Sequence, residues 1–214
     1  MDLSALQLRD LLEQLGTGSP TPGGGSASAL AGAIGASLVG MVAGLTSGRA
    51  KYIDCSNEME KLVRSSKVLR LRFLDLMQED TLAYSIFMEA LKLPCETMEE
   101  KNIRSFMKQK ALKKAVEVPM KILRETKNLA LSAQAVLERG NTNASADAAA
   151  AVEFARSASS TAINNIKENL SKIEDRDFVK ETAEEMDDIA GEIKNIFCRT
   201  TKLIEIRFSG NDHT

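Results

Sequence analysis

One histidine, His213, stands in the whole chain, next to its C-terminus. Ser-His-Asp and Cys-His relays need an imidazole held inside a site, and His-ligated zinc or di-iron centres need several, so none of these is expected. Whatever chemistry the chain performs falls to carboxylates, lysine, tyrosine, hydroxyls or backbone. Tryptophan is absent and aromatic residues make up 4%, which leaves no platform for stacking bases. The 28 basic and 30 acidic residues nearly cancel, so neither nucleic acid nor anionic membrane is a general partner. The cysteines, Cys55, Cys95 and Cys198, are odd in number and share no metal-ligand spacing, a pattern of reduced thiols in a cytoplasmic protein. Linkers, repeats and low-complexity segments are also missing. One domain over 1–208 with a disordered tail at 209–214 is expected.

Against these absences stands SPTPGGGSASALAGAIGASLVGMVAGLT, residues 19–46, without a single charge. Two prolines and three glycines make a sharp turn into a helix. At helical spacing, Ser28, Gly32, Ala36, Gly40 and Gly44 form a ridge of small residues, and Leu30, Ile34, Leu38, Val42 and Leu45 a ridge of large ones beside it. Glycine costs roughly 1 kcal/mol against alanine inside a helix, so the small ridge implies another backbone packed directly on it while the large ridge fills core. That predicts a helix buried all round. A transmembrane span has the required length of about 20 residues. It is disfavoured by low aliphatic content and by the lack of a basic flank or aromatic belt. Asp2, Arg9, Asp10 and Glu13 ahead of the run do not fit a signal peptide.

The rest reads as helix throughout, so the fold class is all-α: a multihelical array of long and short helices around the buried Gly/Ala-rich central one. Leucines at 3, 6, 8, 11, 12 and 15 predict a first helix ended by Gly16 and Gly18. A long helix runs from about Cys55 to Leu93 on the seam Leu62, Leu69, Phe73, Leu76, Ala83, Phe87, Leu91. Pro94 stops it. Thr97 and Glu100 have capping-box spacing, and the basic helix that follows runs to about Leu137, kinked or split by Pro119, with Gly140 as C-cap. Its lysines suit either an anionic tail or a solvated face matched by glutamates. Asn143 is the expected N-cap of a helix to about Leu170, and a last helix spans about Asp177–Phe208. Helices of roughly 40 residues reach about 60 Å, against a radius of gyration near 17 Å for a compact chain of this size. Either they kink or their ends pack on a second subunit, and a homodimer is expected.

Two carboxylates stand out. Asp80 falls inside the apolar seam, three before Ala83 and four after Leu76, where a charge is costly unless paired or used. A helix–helix pairing with lysine, or shallow burial, accounts for it equally. Asp147 stands among alanines and serines of the run ASADAAAA, where desolvation favours the neutral acid, as suits a proton-transfer group. A plain helix-dipole role in the first turn accounts for it too.

Several stretches then line up with a known family. They are Pro20-Thr21-Pro22-Gly23-Gly24-Gly25-Ser26; Met41-Val42-Ala43 through Leu45-Thr46 with Lys51-Tyr52; Asp80 ahead of Ala83-Tyr84; Leu93-Pro94; Val118-Pro119; and Gly140-Asn141 through Asn143 with Asp147. In this order, over nearly its whole length, the chain resembles the cyclodeaminase/cyclohydrolase family of folate enzymes. It departs at Thr142, Ala146 and Ala149, where the family usually carries Pro, Ser and Gly, and at Tyr84, usually Phe. The resemblance implies dimeric multihelical arrays acting on one-carbon units of tetrahydrofolate, with no metal or redox cofactor.

It also implies a site. Asp147 and Asp80 are the expected catalytic carboxylates, drawn into one crevice beside the central helix, with Lys51 as acid or electrostatic partner. Pro22, Gly23, Gly24, Gly25, Ser26, Tyr52 and Asn143 are the expected substrate contacts. The glycine turn suits the substrate's glutamate carboxylates or close approach of a pterin, or serves simply as a tight turn. Absence of a formiminotransferase domain favours methenyltetrahydrofolate cyclohydrolase, with formimidoyltetrahydrofolate cyclodeaminase as the alternative. A non-catalytic helical scaffold is the rival of another class.

Overall fold

The structure, a computed structural model, describes residues 2–209. Among the described residues six α-helices follow one another: α1 Leu8–Leu15, α2 Gly24–Thr46, α3 Ser56–Leu91, α4 Met98–Arg139, α5 Ser145–Leu170 and α6 Arg176–Ser209. Short 3-10 turns occupy Leu3–Ala5, Ala50–Cys55 and Thr142–Ala144, and no strand occurs among the described residues. The segment expected to be a tail, with His213, lies outside the described residues beyond Ser209.

The first helix is shorter than its leucines suggest. Leu6 is extended, and the Leu3 N–H donates to Gln78 Oε1 at 3.0 Å, so the N-terminal turn is tied to α3 and α1 starts afresh at Leu8. The other boundaries fall close to the predicted ones. The capping box of Thr97 and Glu100 is present, and α4 continues through Pro119 as one element. Proline removes the N–H that would bond the carbonyl four residues back, which is Ala115. The side-chain amide of Asn169 donates to that carbonyl at 3.2 Å instead. The first buried residue of α4 is Ala111, so its leading turns project from the bundle.

Helix α2 lies in the middle. On α3, Phe73 faces Gly32 and Ser66 faces Gly40, and on α5, Ser28 Oγ donates to the Ala158 carbonyl at 2.8 Å while Ala151 lies against Gly35. Both neighbours therefore run antiparallel to it, and α4 closes the third side with Leu129 against Gly35. A Cβ on Gly32 would lie 2.5 Å from the Phe73 ring. The glycine thus makes room for an aromatic side chain rather than for a backbone. Phe73, Leu76 and Met77 are sealed in this seam, each contributing about 1.5–3 kcal/mol by burial.

The large ridge of α2 faces the other way. Ile34, Met41 and Leu45 are 38%, 42% and 39% exposed, and Leu30 and Leu38 are half-buried. Val42 alone of that ridge is sealed. Small residues let three helices close in tightly, and the bulky ones are left on the fourth side. The helix is long and apolar enough to cross a membrane by length and composition; here it is the axis of a helical bundle, open along one face.

Candidate active site

The turn Pro20–Gly25 and the first turn of α2 form one wall of a cleft of about 240 Å³. Asp80, Ala83, Tyr84 and Phe87 of α3 form another, and Asn165, Glu168 and Asn169 of α5, with Lys172 in the turn after it, face them. Asp80 reaches into it because α3 passes so close to α2 that a Cβ on Gly25 would collide with its carboxylate. Oδ2 accepts a hydrogen bond from Ser26 Oγ at 2.8 Å. Burial pushes the Asp80 carboxyl above the usual aspartate value, only partly offset by the hydrogen bonds from Ser26, and no neighbouring cation contributes.

The preceding residue shows what pairing does. Burial also raises Glu79, but Lys121 and Arg72, each 2.8 Å away, outweigh it and hold Glu79 below the ordinary glutamate value. Glu79 is thus fixed as a carboxylate between α3 and α4. Asp80, one residue on, is left able to take or give a proton. Environments that drive neighbouring carboxylates apart in this way mark acid–base sites.

The α5 wall was missed by sequence reasoning. Asn165 donates to the Thr161 carbonyl at 2.9 Å, and its Nδ2 stands 3.8 Å from where a Gly24 Cβ would be. The available signal was the pair Asn165 and Asn169, four apart on one face of an apolar helix, together with the carbonyl that Pro119 leaves unbonded. Of the expected contacts, Gly23, Gly24 and Gly25 line the cleft, Ser26 holds its carboxylate, and Pro22 follows a cis Thr21–Pro22 peptide in the same turn.

Lys51, Tyr52, Asn143 and Asp147 gather at the other end of α2. Tyr52 Oη accepts from the Thr142 N–H at 3.0 Å and meets the Thr142 hydroxyl at 3.3 Å. These bonds to Thr142, and then Lys51, hold Tyr52 below the ordinary tyrosine value of 10.0. The exposed Lys51 ammonium lies 5.4 Å from the Tyr52 ring centre. Asn143 is exposed and does not cap α5; Asn141 accepts from its N–H at 3.0 Å. Buried Asn141 also takes the Thr46 hydroxyl on its own N–H at 2.8 Å and donates from its amide to the Leu45 carbonyl at 3.1 Å. Gly140 ends α4 in an extended conformation. A Cβ there would collide with Val136 and press on Val42, so closeness rather than a left-handed turn demands glycine.

Asp147 occupies the first turn of α5 and is half-buried. Ala148 and Ala151 turn into the core, whereas Ala146 is exposed, so the alanines do not seal the carboxylate. Asn165, not Asp147, meets the glycine turn. The eighteen residues between these two span about 27 Å of helix. Within one chain, therefore, Asp80 and Asp147 do not share the single crevice that the sequence suggested. Among the described residues no group of three or more His, Cys, Asp or Glu is placed to hold a metal ion.

Comparisons with known proteins agree on one family. The profile described as Formiminotransferase-cyclodeaminase matches residues 7–188. A methenyltetrahydrofolate cyclohydrolase of Methylorubrum extorquens is 35% identical over 185 residues, covering 86% of this chain and 89% of that protein. The formimidoyltransferase-cyclodeaminase of Mus musculus is 29% identical over 187 residues. That match covers 87% of this chain but only 35% of the mouse protein, so the chain spans about a third of such relatives. The crystal structure of a formiminotetrahydrofolate cyclodeaminase from Thermotoga maritima superposes with a TM-score of 0.86 at 30% identity, covering 95% of this chain and 98% of that one.

Proposed function

The chain belongs to the formiminotransferase-cyclodeaminase family of folate one-carbon enzymes, and from that premise we propose that it is a methenyltetrahydrofolate cyclohydrolase interconverting 5,10-methenyl- and 10-formyltetrahydrofolate. The observation that carries the reading is Asp80, a buried carboxyl in a cleft with a hydroxyl to bond and no cation paired with it. The methenyl carbon belongs to a cationic amidinium, which such a carboxylate attracts and stabilises. Water adds to that carbon and gives a proton to Asp80. The bond from carbon to N5 then breaks, N5 takes the proton from Asp80, and the hydroxyl proton leaves to solvent as the formyl group forms. One water is consumed and one proton released overall, with no metal or redox group in the scheme. The backbone at the start of α2 offers N–H groups for the substrate's glutamate carboxylates.

Cyclodeamination is the second reading, favoured by the nearly complete superposition on the Thermotoga protein. There N10 attacks the formimino carbon, ammonia leaves, and the same carboxyl moves the protons. Assays of methenyltetrahydrofolate decay and of ammonia release from 5-formiminotetrahydrofolate separate the two. Hydrolysis without ammonia release is expected; ammonia release alone would replace the first reading by the second. The open apolar face of α2 supports a homodimer, and the free thiols of Cys55, Cys95 and Cys198 support a cytoplasmic setting.

A further inference from the structure

Two side-chain amides on the α5 wall of the Asp80 cleft are locked the same way round. Asn165 Nδ2 donates to the Thr161 carbonyl at 2.9 Å, and Asn169 Nδ2 donates to the Ala115 carbonyl at 3.2 Å. The second carbonyl is the one that Pro119 leaves without its helical N–H. A carbonyl only accepts, so reversing either amide would set oxygen against oxygen. Among the described residues neither amide oxygen accepts a hydrogen bond, and no buried side-chain oxygen or nitrogen lacks a partner. The two bare oxygens are therefore open, and both residues line the cleft. Side chains four apart on a helix lie about 5–6 Å from each other at Cβ. The α5 wall thus presents two neighbouring acceptors that cannot turn into donors.

We infer that this pair reads one edge of a reduced pterin, Asn165 accepting from N8–H and Asn169 from the 2-amino group, a placement that rests on the reading of the Asp80 cleft as the catalytic site. In a tetrahydropterin those two donors flank a single ring nitrogen and point the same way, as acceptors one helical turn apart require. Asn165 is the one beside Gly24, so the ring that carries N8 lies at the glycine turn. N5 stands across that same ring from N8. With N8 on the α5 wall, N5 turns to the opposite wall, where Asp80 is held against Gly25 and where the proton is needed. Tyr84 and Phe87, with ring centres 6.5 Å apart, offer flat apolar surface in the same cleft. Its volume of about 240 Å³ is below the roughly 300–1,000 Å³ that a drug-sized ligand fills. One ring system enters, and the rest of the folate extends past the mouth.

The lock makes the pair selective. Fully oxidised folate carries a lone pair at N8 where the reduced forms carry N–H. A free amide would swing round and donate to that lone pair. Here the Thr161 carbonyl already holds the Asn165 donor, so acceptor would meet acceptor and the oxidised ring is turned away. A site built to bond a particular N–H rejects the analogue that lacks it, because its own polar group is then left unpaired. Dihydrofolate reduced at positions 7 and 8 keeps N8–H and should be accepted.

The test is the binding of 5-formyltetrahydrofolate, 7,8-dihydrofolate and folic acid to the full chain. The first two should bind alike, and both at least about 10-fold more tightly than folic acid. Asn165→Leu keeps the bulk, removes the acceptor and breaks a bond only within its own helix, so the chain stays folded and the preference should collapse. Asn165→Asp still accepts and should keep it. Asn169→Leu should weaken all three ligands alike, because all three carry the 2-amino group.

Folic acid binding as tightly as the reduced folates overturns the inference, as does dihydrofolate sorting with folic acid. So does an unchanged preference in Asn165→Leu, or its loss in Asn165→Asp. A wild-type chain that binds selectively yet leaves methenyltetrahydrofolate intact refutes the hydrolase reading alone. A chain that binds none of the three refutes both.

Discussion

At the start of α2 a carboxylate is pressed against glycine with Ser26 as its hydrogen-bond partner. At its end, buried Asn141 ties the α4–α5 corner to Thr46 and Leu45 by hydrogen bonds with both partners satisfied. The first end carries a group held in an unfavourable state; the second holds its groups in comfort. A buried, unpaired acid costs stability, and such cost concentrates where chemistry needs it. Satisfied networks stiffen a position instead. On the proposed function the proton transfer belongs at the strained Asp80 end, and the part played by the Tyr52 end is what the variants at that end decide.

Asp80→Asn tests the difference hardest. Turnover should fall by about 10²–10⁴, the usual contribution of a proton-transfer group, while the fold gains. Asp80 is raised in the folded chain, so wild type loses stability as pH climbs from the ordinary aspartate value of 3.8 through the raised one. Asparagine has no charge to bury. The melting temperature of Asp80→Asn should therefore exceed wild type at pH 7–8, by about 2–4 °C for each kcal/mol relieved, and the gap should close toward pH 3. A variant less stable than wild type at pH 8 would mean that Asp80 is a structural ion rather than a strained one.

Gly25→Ala follows in size. The added methyl meets the Asp80 carboxylate, and crowding of this kind costs about 1–3 kcal/mol. Gly32→Ala meets the Phe73 ring and should cost a similar amount. Only Gly25→Ala should also depress turnover well beyond its loss of folded protein, because only it displaces the reacting group. Equal turnover per folded molecule in the two variants would detach the glycine turn from the chemistry.

Much of this was legible in the sequence, and the remainder failed for identifiable reasons. Periodicity and punctuation located the long helices to within a few residues, because Pro94, the Thr97 box and Gly140 act locally. Asp80 was legible as a carboxylate on an apolar seam. The orientation of the large α2 ridge was not: Leu30, Ile34, Leu38 and Leu45 look like core, and only the positions of α3, α4 and α5 reveal that glycine faces have drawn the neighbours away from them. Nor could spacing show that α5 runs antiparallel to α2, which sends Asp147 to the far end. The Asn169 bond to the Ala115 carbonyl joins residues 54 apart, and no local pattern announces it.

The smaller effects belong to the other end. Asn141→Ala removes the amide bond to Leu45 and the acceptor for Asn143, at a cost of about 2 kcal/mol and a fall of about 4–8 °C in melting temperature. Tyr52→Phe should be milder still. It deletes the acceptor of the Thr142 N–H, but Thr142 is exposed and water replaces the lost partner, so melting should shift by less than in Asn141→Ala. If the hydroxyl only braces the corner, turnover should fall no further than folded protein does. If it meets substrate, KM should rise in Tyr52→Phe while melting stays nearly fixed. The ratio of those two changes reads directly whether this end is scaffold or a contact for substrate.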